Sequence, residues 1–259
     1  MALNVTTRDI DRVGTRPTAL FLHAYPLDHR MWEPVIDRLD GVPLMVVDAP
    51  GFGGSESFLD TPSLESYADQ IASVVGRYGV EKVVPIGCSL GGYVALALAQ
   101  RHPRIVSGIG MIASKADADS DEGRIKRIET LVGMLAGRRL ELMEPAIESM
   151  FSAVTLRNNP ELVQQVKDWG AEASREGLIW AQRAMSVRPD RLEVLEELGL
   201  PGLVMRGEDD TFVTPEQASR MAAALGTQVV EVRSAGHLLP LEDPGAVSRY
   251  VMTLYLKCK

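Results

Sequence analysis

Short apolar runs alternate with longer helix-forming runs along most of this 259-residue chain, and this alternation limits the folds it can adopt. The apolar, β-branched runs predict strands, and the alanine- and leucine-rich runs between them predict helices. The predicted strands are residues 18–22, 44–47, 82–86, 105–112, 202–205 and 228–232. The predicted helices are residues 29–38, 63–77, 90–101, 215–225 and 244–256. Strands that alternate with helices form a mainly parallel sheet with helices on both faces, so the pattern predicts an α/β fold.

The alternation breaks between residues 115 and 188, where no run has the character of a strand. Helix-like pieces fill this stretch, at residues 122–135, 140–150, 161–173 and 177–185. We predict that residues 115–188 form a helical cap, inserted into a core domain made of residues 1–114 and 189–259. The cap is expected to cover the carboxyl edge of the sheet, where ligands of α/β proteins bind.

The sequence Gly87-Cys88-Ser89-Leu90-Gly91 joins one predicted strand to the helix that follows it. A serine in so tight a turn takes a strained backbone conformation, and glycines two residues to either side avoid collisions. This arrangement is typical of a nucleophile elbow, in which the serine hydroxyl stands at the start of the helix. A Gly-x-Ser-x-Gly pattern also arises by chance, on the order of 0.1 times in a chain of this length. The flanking strand and helix are therefore what favour a catalytic serine at position 89.

A serine nucleophile needs a base, and the chain has four histidines. His29 and His102 lie beside helix-like runs and are expected to be structural or exposed, and His23 ends the first predicted strand. His237 lies in a loop after the last predicted strand, from which it can reach back over the carboxyl edge of the sheet. We predict that His237 is the base; the alternative is a loop histidine without a catalytic role.

The acid that orients the base is sought among three carboxylates, Glu208, Asp209 and Asp210, that follow the predicted strand 202–205. Asp210 is the first choice and Asp209 the second. The resulting chain order of serine, aspartate and histidine is that of hydrolases with a nucleophile elbow, and it differs from the orders in the chymotrypsin and subtilisin types.

Two backbone N–H groups are predicted to stabilise the negative oxygen of a tetrahedral intermediate. One belongs to Leu90, directly after the serine, and the other to Tyr25, in the loop after the first predicted strand. The sequence has Ala24 where a glycine would be usual in that loop. The substrate pocket is predicted from apolar and aromatic side chains of the cap and of the nearby loops. The pocket candidates are Tyr25, Met134, Met150, Phe151, Trp180 and Leu238.

With these motifs in place, the chain resembles the α/β-hydrolase superfamily over nearly its whole length. Four blocks carry the resemblance: residues 23–28, residues 48–55, residues 87–92, and residues 207–210 together with 235–237. The compact cap and residues 184–191 look like the 3-oxoadipate enol-lactonase and carboxylesterase group. The resemblance implies an α/β-hydrolase fold that needs no cofactor. Only about 17 residues precede the first predicted core strand, so the hairpin that usually opens this fold is expected to be shortened.

The predicted activity is the hydrolysis of a small-molecule carboxylic ester or lactone through an acyl-enzyme on Ser89. Three alternatives stay open. The same triad serves carbon–carbon bond hydrolases and perhydrolases, and it also serves thioesterases. The third alternative is of another class, a receptor-like protein of this fold that binds its ligand with little turnover.

Composition excludes several other classes of function. The net charge of −8 argues against a nucleic-acid surface. No apolar stretch approaches the length of a membrane span, and residues 1–9 lack the apolar core of a signal peptide. The two cysteines are expected to be free thiols in a cytoplasmic protein, and no cluster of cysteine and histidine has the spacing of a metal site. The glycine-rich residues 51–54 lack the lysine of a phosphate-binding loop. The sequence carries no signal for the number of subunits.

Overall fold

A seven-stranded sheet forms the centre of the computed structural model, which describes residues 2–10, 16–57 and 61–259. The strands are β1 (Val5–Arg8), β2 (Thr18–Leu22), β3 (Leu44–Val47), β4 (Val83–Cys88), β5 (Ile109–Ile112), β6 (Gly202–Gly207) and β7 (Val229–Val232). They lie in the order β1-β3-β2-β4-β5-β6-β7. β1 is antiparallel to β3, and every other neighbouring pair is parallel. The predicted mainly parallel sheet is confirmed.

The central strands are continuous apolar runs because both faces of the sheet are covered. Every residue of β2, β3, β4 and β5 is buried. Parallel strands between two layers of helices have this composition, without the alternation of half-exposed strands. The edge strands β1 and β7 are mostly half-buried.

Twelve α-helices are present in the described residues. They are α1 (Glu33–Ile36), α2 (Leu64–Arg77), α3 (Leu90–Arg101), α4 (Asp121–Leu135), α5 (Arg139–Glu148), α6 (Ala153–Asn158), α7 (Pro160–Glu172), α8 (Arg175–Ser186), α9 (Leu192–Leu198), α10 (Pro215–Ala224), α11 (Leu239–Glu242) and α12 (Pro244–Lys257). α2, α3, α9 and α10 form one connected group of helices, and α1, α11 and α12 form another. The two groups account for the burial of the central strands on both faces.

Local sequence signals explain where several helices begin. The Ser63 hydroxyl caps α2 by accepting a hydrogen bond from the N–H of Ser66, and Thr214 with Gln217 forms a complete capping box on α10. Pro215 and Pro244 occupy the first positions of their helices, where a missing N–H costs nothing.

The structure differs from the sequence prediction at the less regular elements. Residues 29–38 form a 3₁₀ turn, His29–Trp32, followed by the short α1, instead of one helix. The predicted strand 105–112 is shortened to β5, because residues Pro103–Ile105 form a second 3₁₀ turn. β1, α6, α9 and α11 were not predicted. β1 reads Val-Thr-Thr-Arg, a polar edge strand without an apolar run.

The helices α4 to α8 lie between β5 and β6, in the stretch where the alternation stops. α4 contacts α5 and α8, and α5 contacts α7. At the start of α8, the Ser174 hydroxyl donates a hydrogen bond of 2.7 Å to the carbonyl of Gly51, in the loop after β3. The inserted helices therefore pack onto a loop at the carboxyl edge of the sheet. Their status as a domain separate from residues 1–114 and 189–259 stays a prediction.

Candidate active site

Ser89 occupies the sharp turn between β4 and α3 with a positive φ of +51°, which is rare for a residue other than glycine. Its N–H donates to the carbonyl of Ile112 at 3.0 Å, and its carbonyl accepts from the Ser114 hydroxyl at 2.8 Å. Ile112 is the last residue of β5, and Ser114 lies two residues after it. The neighbouring strand therefore holds the strained conformation in place.

Glycine is required on both sides of this turn. A Cβ atom on Gly87 would collide with the backbone of Gly91, and one on Gly91 would collide with the carbonyl of Leu22 at the end of β2. α3 thus begins in direct contact with the end of β2. The close approach explains the glycine spacing predicted for a nucleophile elbow.

His237 and Asp210 are in direct contact at the same edge of the sheet. His237 Nδ1 lies 3.0 Å from both carboxylate oxygens of Asp210. Asp210 also accepts hydrogen bonds from the N–H groups of Phe212 and Val213. Burial alone would raise the pKa of Asp210, but the charge and hydrogen bond of His237 and the two N–H groups lower it. An ionised carboxylate only accepts hydrogen bonds, so Nδ1 is the ring nitrogen that carries a proton in this contact.

Asp209, the second candidate for the acid, lies elsewhere. Its side chain is exposed, and its N–H donates to the carbonyl of Ala235 at 2.9 Å. The bend that follows β6 turns consecutive carboxylates in different directions, and Asp210 is the one that reaches His237.

Ser89 and His237 line one cavity of about 240 Å³. Residues from the sheet edge and from the inserted helices form its wall together. The lining residues are Tyr25, Pro26, Ser89, Tyr93, Lys115, Arg127, Thr130, Met134, Leu142, Met143, Ala146, Met150, Gln182, Met185, Phe212 and His237. Tyr25, Met134 and Met150 were predicted for the pocket and are among them.

Phe151, Trp180 and Leu238 were also predicted for the pocket, but they are not lining residues. The Trp180 ring meets the Tyr67 ring of α2 edge-on, with 5.8 Å between centroids, so it packs α8 onto the core. Leu238 is fully buried, and Phe151 is 5% exposed. Each is apolar and close in sequence to a lining residue, but each side chain packs into the protein interior.

The two predicted oxyanion donors are available for a ligand. Leu90 is the first residue of α3, where an N–H has no partner within its helix. Within the described part of the chain, neither the N–H of Leu90 nor that of Tyr25 makes a hydrogen bond. The Tyr25 side chain lines the cavity, and burial raises the pKa of its hydroxyl to about 12.

The remaining histidines are engaged elsewhere. His23 is buried, with Nδ1 bonded to the carbonyl of Ala24 at 2.9 Å and Nε2 accepting from the N–H of Ala49 at 2.8 Å. Burial lowers its pKa, against the effect of the nearby Asp48. His29 contacts Asp48, and His102 contacts an exposed aspartate.

One group of side chains has the composition of a metal site. Oxygen and nitrogen atoms of Asp28, His29 and Asp48 lie within 4.8 Å of one another. Asp28 pairs with Arg30 through both carboxylate oxygens, however, and Asp48 accepts from His29 and Asn4. These groups already have hydrogen-bonding partners, so the cluster is explained without an ion.

Several contacts around the site were not predicted from the sequence. The carbonyl of Met150 accepts the N–H of His237 at 2.7 Å. Glu242 accepts from the N–H of Gly236 at 2.8 Å through one oxygen and from the N–H of Ser152 at 2.9 Å through the other. The loop that carries His237 and the inserted segment are thereby bonded directly to each other. No local sequence motif predicts a contact between segments so far apart in the chain.

Residues 19–250 match the profile of the Alpha/beta hydrolase family, and the chain belongs to this family. The predicted α/β-hydrolase fold and the prediction of a hydrolytic enzyme are both confirmed. Among the described residues, no helix is both long and apolar enough to cross a bilayer.

Relatives and solved structures agree with this assignment. A pimeloyl-[acyl-carrier protein] methyl ester esterase of Stenotrophomonas maltophilia is 31% identical over 88% of each chain. The 3-oxoadipate enol-lactonase 1 of Acinetobacter baylyi is 25% identical over 88% of this chain and 84% of its own. A thermophilic esterase of Thermogutta terrifontis, solved with malate bound, has a TM-score of 0.91 at 30% identity, over 98% of this chain and 93% of the esterase. The chain also matches a bifunctional biotin-biosynthesis protein of Cellvibrio japonicus at 26% identity and spans 48% of that protein. The resemblance to enol-lactonases and esterases is confirmed.

Proposed function

We propose that the protein hydrolyses a carboxylic ester or lactone with Ser89 as nucleophile, His237 as base and Asp210 as the acid that orients the base. The contact of His237 Nδ1 with both oxygens of Asp210 carries this proposal. It fixes one ring nitrogen and leaves the other for the hydroxyl of Ser89, which lines the same cavity. Relatives that act on a methyl ester and on an enol-lactone support the substrate class.

The proposed reaction proceeds through an acyl-enzyme. His237 Nε2 takes the Ser89 proton as the oxygen attacks the carbonyl carbon, and Asp210 stabilises the imidazolium that forms. The free N–H groups of Leu90 and Tyr25 stabilise the oxyanion of the tetrahedral intermediate. The imidazolium then protonates the leaving alcohol. Water, deprotonated by His237, attacks the acyl group and releases the acid and Ser89.

The Ser89→Ala variant tests this proposal with 4-nitrophenyl acetate and with a panel of lactones. We expect the wild type to turn over many times and Ser89→Ala to lose at least about 10³-fold in kcat/KM, with its thermal unfolding unchanged. Ser73→Ala, at an exposed serine on α2, is the control and should retain full activity. A Ser89→Ala variant as active as the wild type would refute the proposal. A single stoichiometric acylation without turnover would favour the receptor-like alternative.

A further inference from the structure

The cavity above Ser89 carries a positive charge in a protein whose net charge is −8. Lys115 and Arg127 line it, and no aspartate or glutamate is among its lining residues in the described part of the chain. Arg127 pairs with Asp119, which also binds Arg188 at 2.8 Å, so two guanidinium groups share one carboxylate. Lys115 has no ion pair among the described residues. The cavity wall therefore carries two cationic side chains, of which Arg127 shares Asp119 with Arg188 and Lys115 is unpaired within the described residues.

Neighbouring groups hold the Arg127 guanidinium in a fixed orientation. Its Nε donates to Asp119, and one terminal nitrogen donates to Gln182 Oε1 at 3.1 Å. Burial would raise the pKa of Asp119, but the hydrogen bonds of Arg188 and Arg127 outweigh it and lower the pKa to about 2. The Asp119 side chain is 4% exposed and Gln182 is 6% exposed. A guanidinium held by buried partners is ready to bind a planar anion with its remaining donors.

The cavity has a polar side and an apolar side. Arg127, Thr130 and Met134 follow one another at intervals of three and four residues on the inner face of α4, so this face changes from charged to apolar along the helix. α5 adds Leu142 and Met143 to the wall. The pocket thus suits a molecule with an anionic end and an apolar body.

We propose that Lys115 and Arg127 form a binding site for a carboxylate carried by the substrate at a distance from the bond that is cleaved. The Tyr25 hydroxyl, protonated at neutral pH, lies beside Gln182 and supplies a further donor. This inference rests on the proposed function and names its substrate class, an ester or lactone of a dicarboxylic acid. Desolvation of a carboxylate is costly, and charged donors at hydrogen-bonding distance offset this cost.

Two matched substrates test the site: the mono-4-nitrophenyl ester of glutaric acid, which is anionic, and 4-nitrophenyl pentanoate, which is neutral. We expect the wild type to prefer the anionic ester. Lys115→Met and Arg127→Met should each lower kcat/KM for the anionic ester by about 10- to 100-fold, mainly through KM, and should lower it much less for the neutral ester. Arg127→Lys keeps the charge next to Asp119 and should lose less than Arg127→Met. Arg124→Met, on the exposed face of α4, is the control.

The outcomes separate this site from the proposed function. Hydrolysis of neither ester by the wild type would refute the proposed function. Equal kcat/KM values for both esters, or equal losses for both in Lys115→Met, would overturn the carboxylate site while hydrolysis stands. Protection of the Ser89→Ala variant against thermal unfolding by glutarate, lost in the Ser89→Ala, Lys115→Met double variant, would support the site independently of turnover.

The outer face of α4 carries an independent inference. Ile125, Ile128, Val132 and Leu135 are between 54% and 59% exposed and recur at intervals of three, four and three residues. This 3.5-residue repeat is the pattern by which one helix packs along another. These four side chains form an apolar stripe that is symmetric about position 130. Two antiparallel copies of α4 therefore place Ile125 opposite Leu135 and Ile128 opposite Val132.

The charges at the two ends of the stripe complement each other in the same pairing. Asp121, the first residue of α4, has a 90% exposed side chain that lies 3.6 Å from Arg124, and Arg138, three residues after the end of α4, has a 52% exposed side chain that lies 3.8 Å from Glu141. Antiparallel pairing brings each acid near the arginine of the other copy. We infer that α4 is the contact between two copies of this chain.

Engineered disulfides test this contact, since the natural cysteines Cys88 and Cys258 are buried. An equimolar mixture of Ile128→Cys and Val132→Cys should form covalent dimers under mild oxidation faster than either variant alone. Sedimentation of the wild type should show dimers that Val132→Glu abolishes, with ester hydrolysis retained. A wild type that stays monomeric at about 100 µM, or cross-linking no faster than for the Lys126→Cys and Glu129→Cys control pair, would overturn the contact.

Discussion

Two aspartate–histidine pairs lie at the carboxyl edge of the same sheet, and only one of them faces the cavity. Asp48 follows β3 and contacts His29 at 2.9 Å, while Asp210 follows β6 and contacts His237 at 3.0 Å. Both carboxylates are buried, and the pKa of each is lowered. The two pairs are thus alike in their chemistry.

The two pairs differ in the other hydrogen bonds of the aspartates and in what the histidine rings face. Asp48 accepts from the Asn4 amide at 2.7 Å and the N–H of Gly54 at 3.2 Å, and so links the N-terminal segment to the loop after β3. The additional bonds of Asp210 go to its own loop, and His237 faces the cavity that Ser89 lines. The feature that separates the two pairs is therefore the cavity that His237 shares with Ser89, and the proposed role of His237 as a base depends on it.

Exchange of the two histidines for glutamine should give the largest contrast. We expect His237→Gln to lower kcat/KM for 4-nitrophenyl acetate by about 10⁵-fold, because the base is lost. His29→Gln should retain activity within about 3-fold and lower the thermal unfolding temperature instead. Steady-state kinetics and calorimetry on both variants measure the contrast. Comparable losses of activity in both would show that the distinction between the pairs is mistaken.

Substitution of the two aspartates, Asp210 and Asp48, should also separate an effect on activity from an effect on stability. We expect Asp210→Asn to lower kcat by about 10⁴-fold, because an amide at this position favours the wrong tautomer of His237. Asp48→Asn should cost about 2 to 3 kcal/mol of unfolding free energy, since it weakens a buried hydrogen-bonded pair, and should change kcat by less than about 5-fold. Urea unfolding and hydrolysis rates distinguish the two; a catalytic defect confined to Asp48→Asn would reverse the assignment.

The Asp48 pair should also be visible in the pH dependence of stability. Burial alone would raise the pKa of Asp48, but hydrogen bonds from His29 and Asn4 outweigh it, and the pKa is lowered to about 2. Because the folded value lies below the unfolded one, the stabilisation is present above about pH 4 and is lost as the pH falls towards 2. The difference in unfolding free energy between the wild type and Asp48→Asn should shrink by roughly 2 kcal/mol over this interval. A difference that stays constant from pH 6 to pH 2.5 would contradict it.

The smallest effect is expected at Asp209. Its carboxylate is exposed, so Asp209→Asn should leave kcat/KM within about 2-fold of the wild type. The same assay run beside Asp210→Asn decides between the two neighbours, and a larger loss in Asp209→Asn would show that the acid has been assigned to the wrong residue.

The sequence predicts well those parts of the structure that are determined by residues a few positions away in the chain. The turn at Ser89 is specified by glycines two positions away and by the runs on either side, and α3 has the predicted bounds. The choice between Asp209 and Asp210 rested on position alone, because the direction of each side chain depends on a bend that no residue type specifies. β1 was missed for a related reason: a polar edge strand forms only because β3 offers it a partner.

The wall of the cavity was the least predictable part. Periodicity shows which face of a cap helix is buried, but it does not show which buried face meets the cavity and which meets the core. Trp180 and Gln182 lie on the same helix, and the aromatic residue packs on the core while the amide lines the cavity. Trp180 was predicted for the pocket because it is apolar. The polar wall residues Arg127 and Gln182 are instead positioned by hydrogen bonds among Arg127, Asp119 and Gln182.

Hydrogen bonds between the loop that carries His237 and the inserted segment fix one side of the cavity wall. His237 is held through its backbone by Met150, and Glu242 ties Gly236 to Ser152. A displacement of residues 150–152 away from the sheet would break these bonds and shift His237 relative to Asp210. Residues 150–152 therefore form a fixed edge of the cavity wall, because hydrogen bonds join them to the loop that carries His237 and to Glu242.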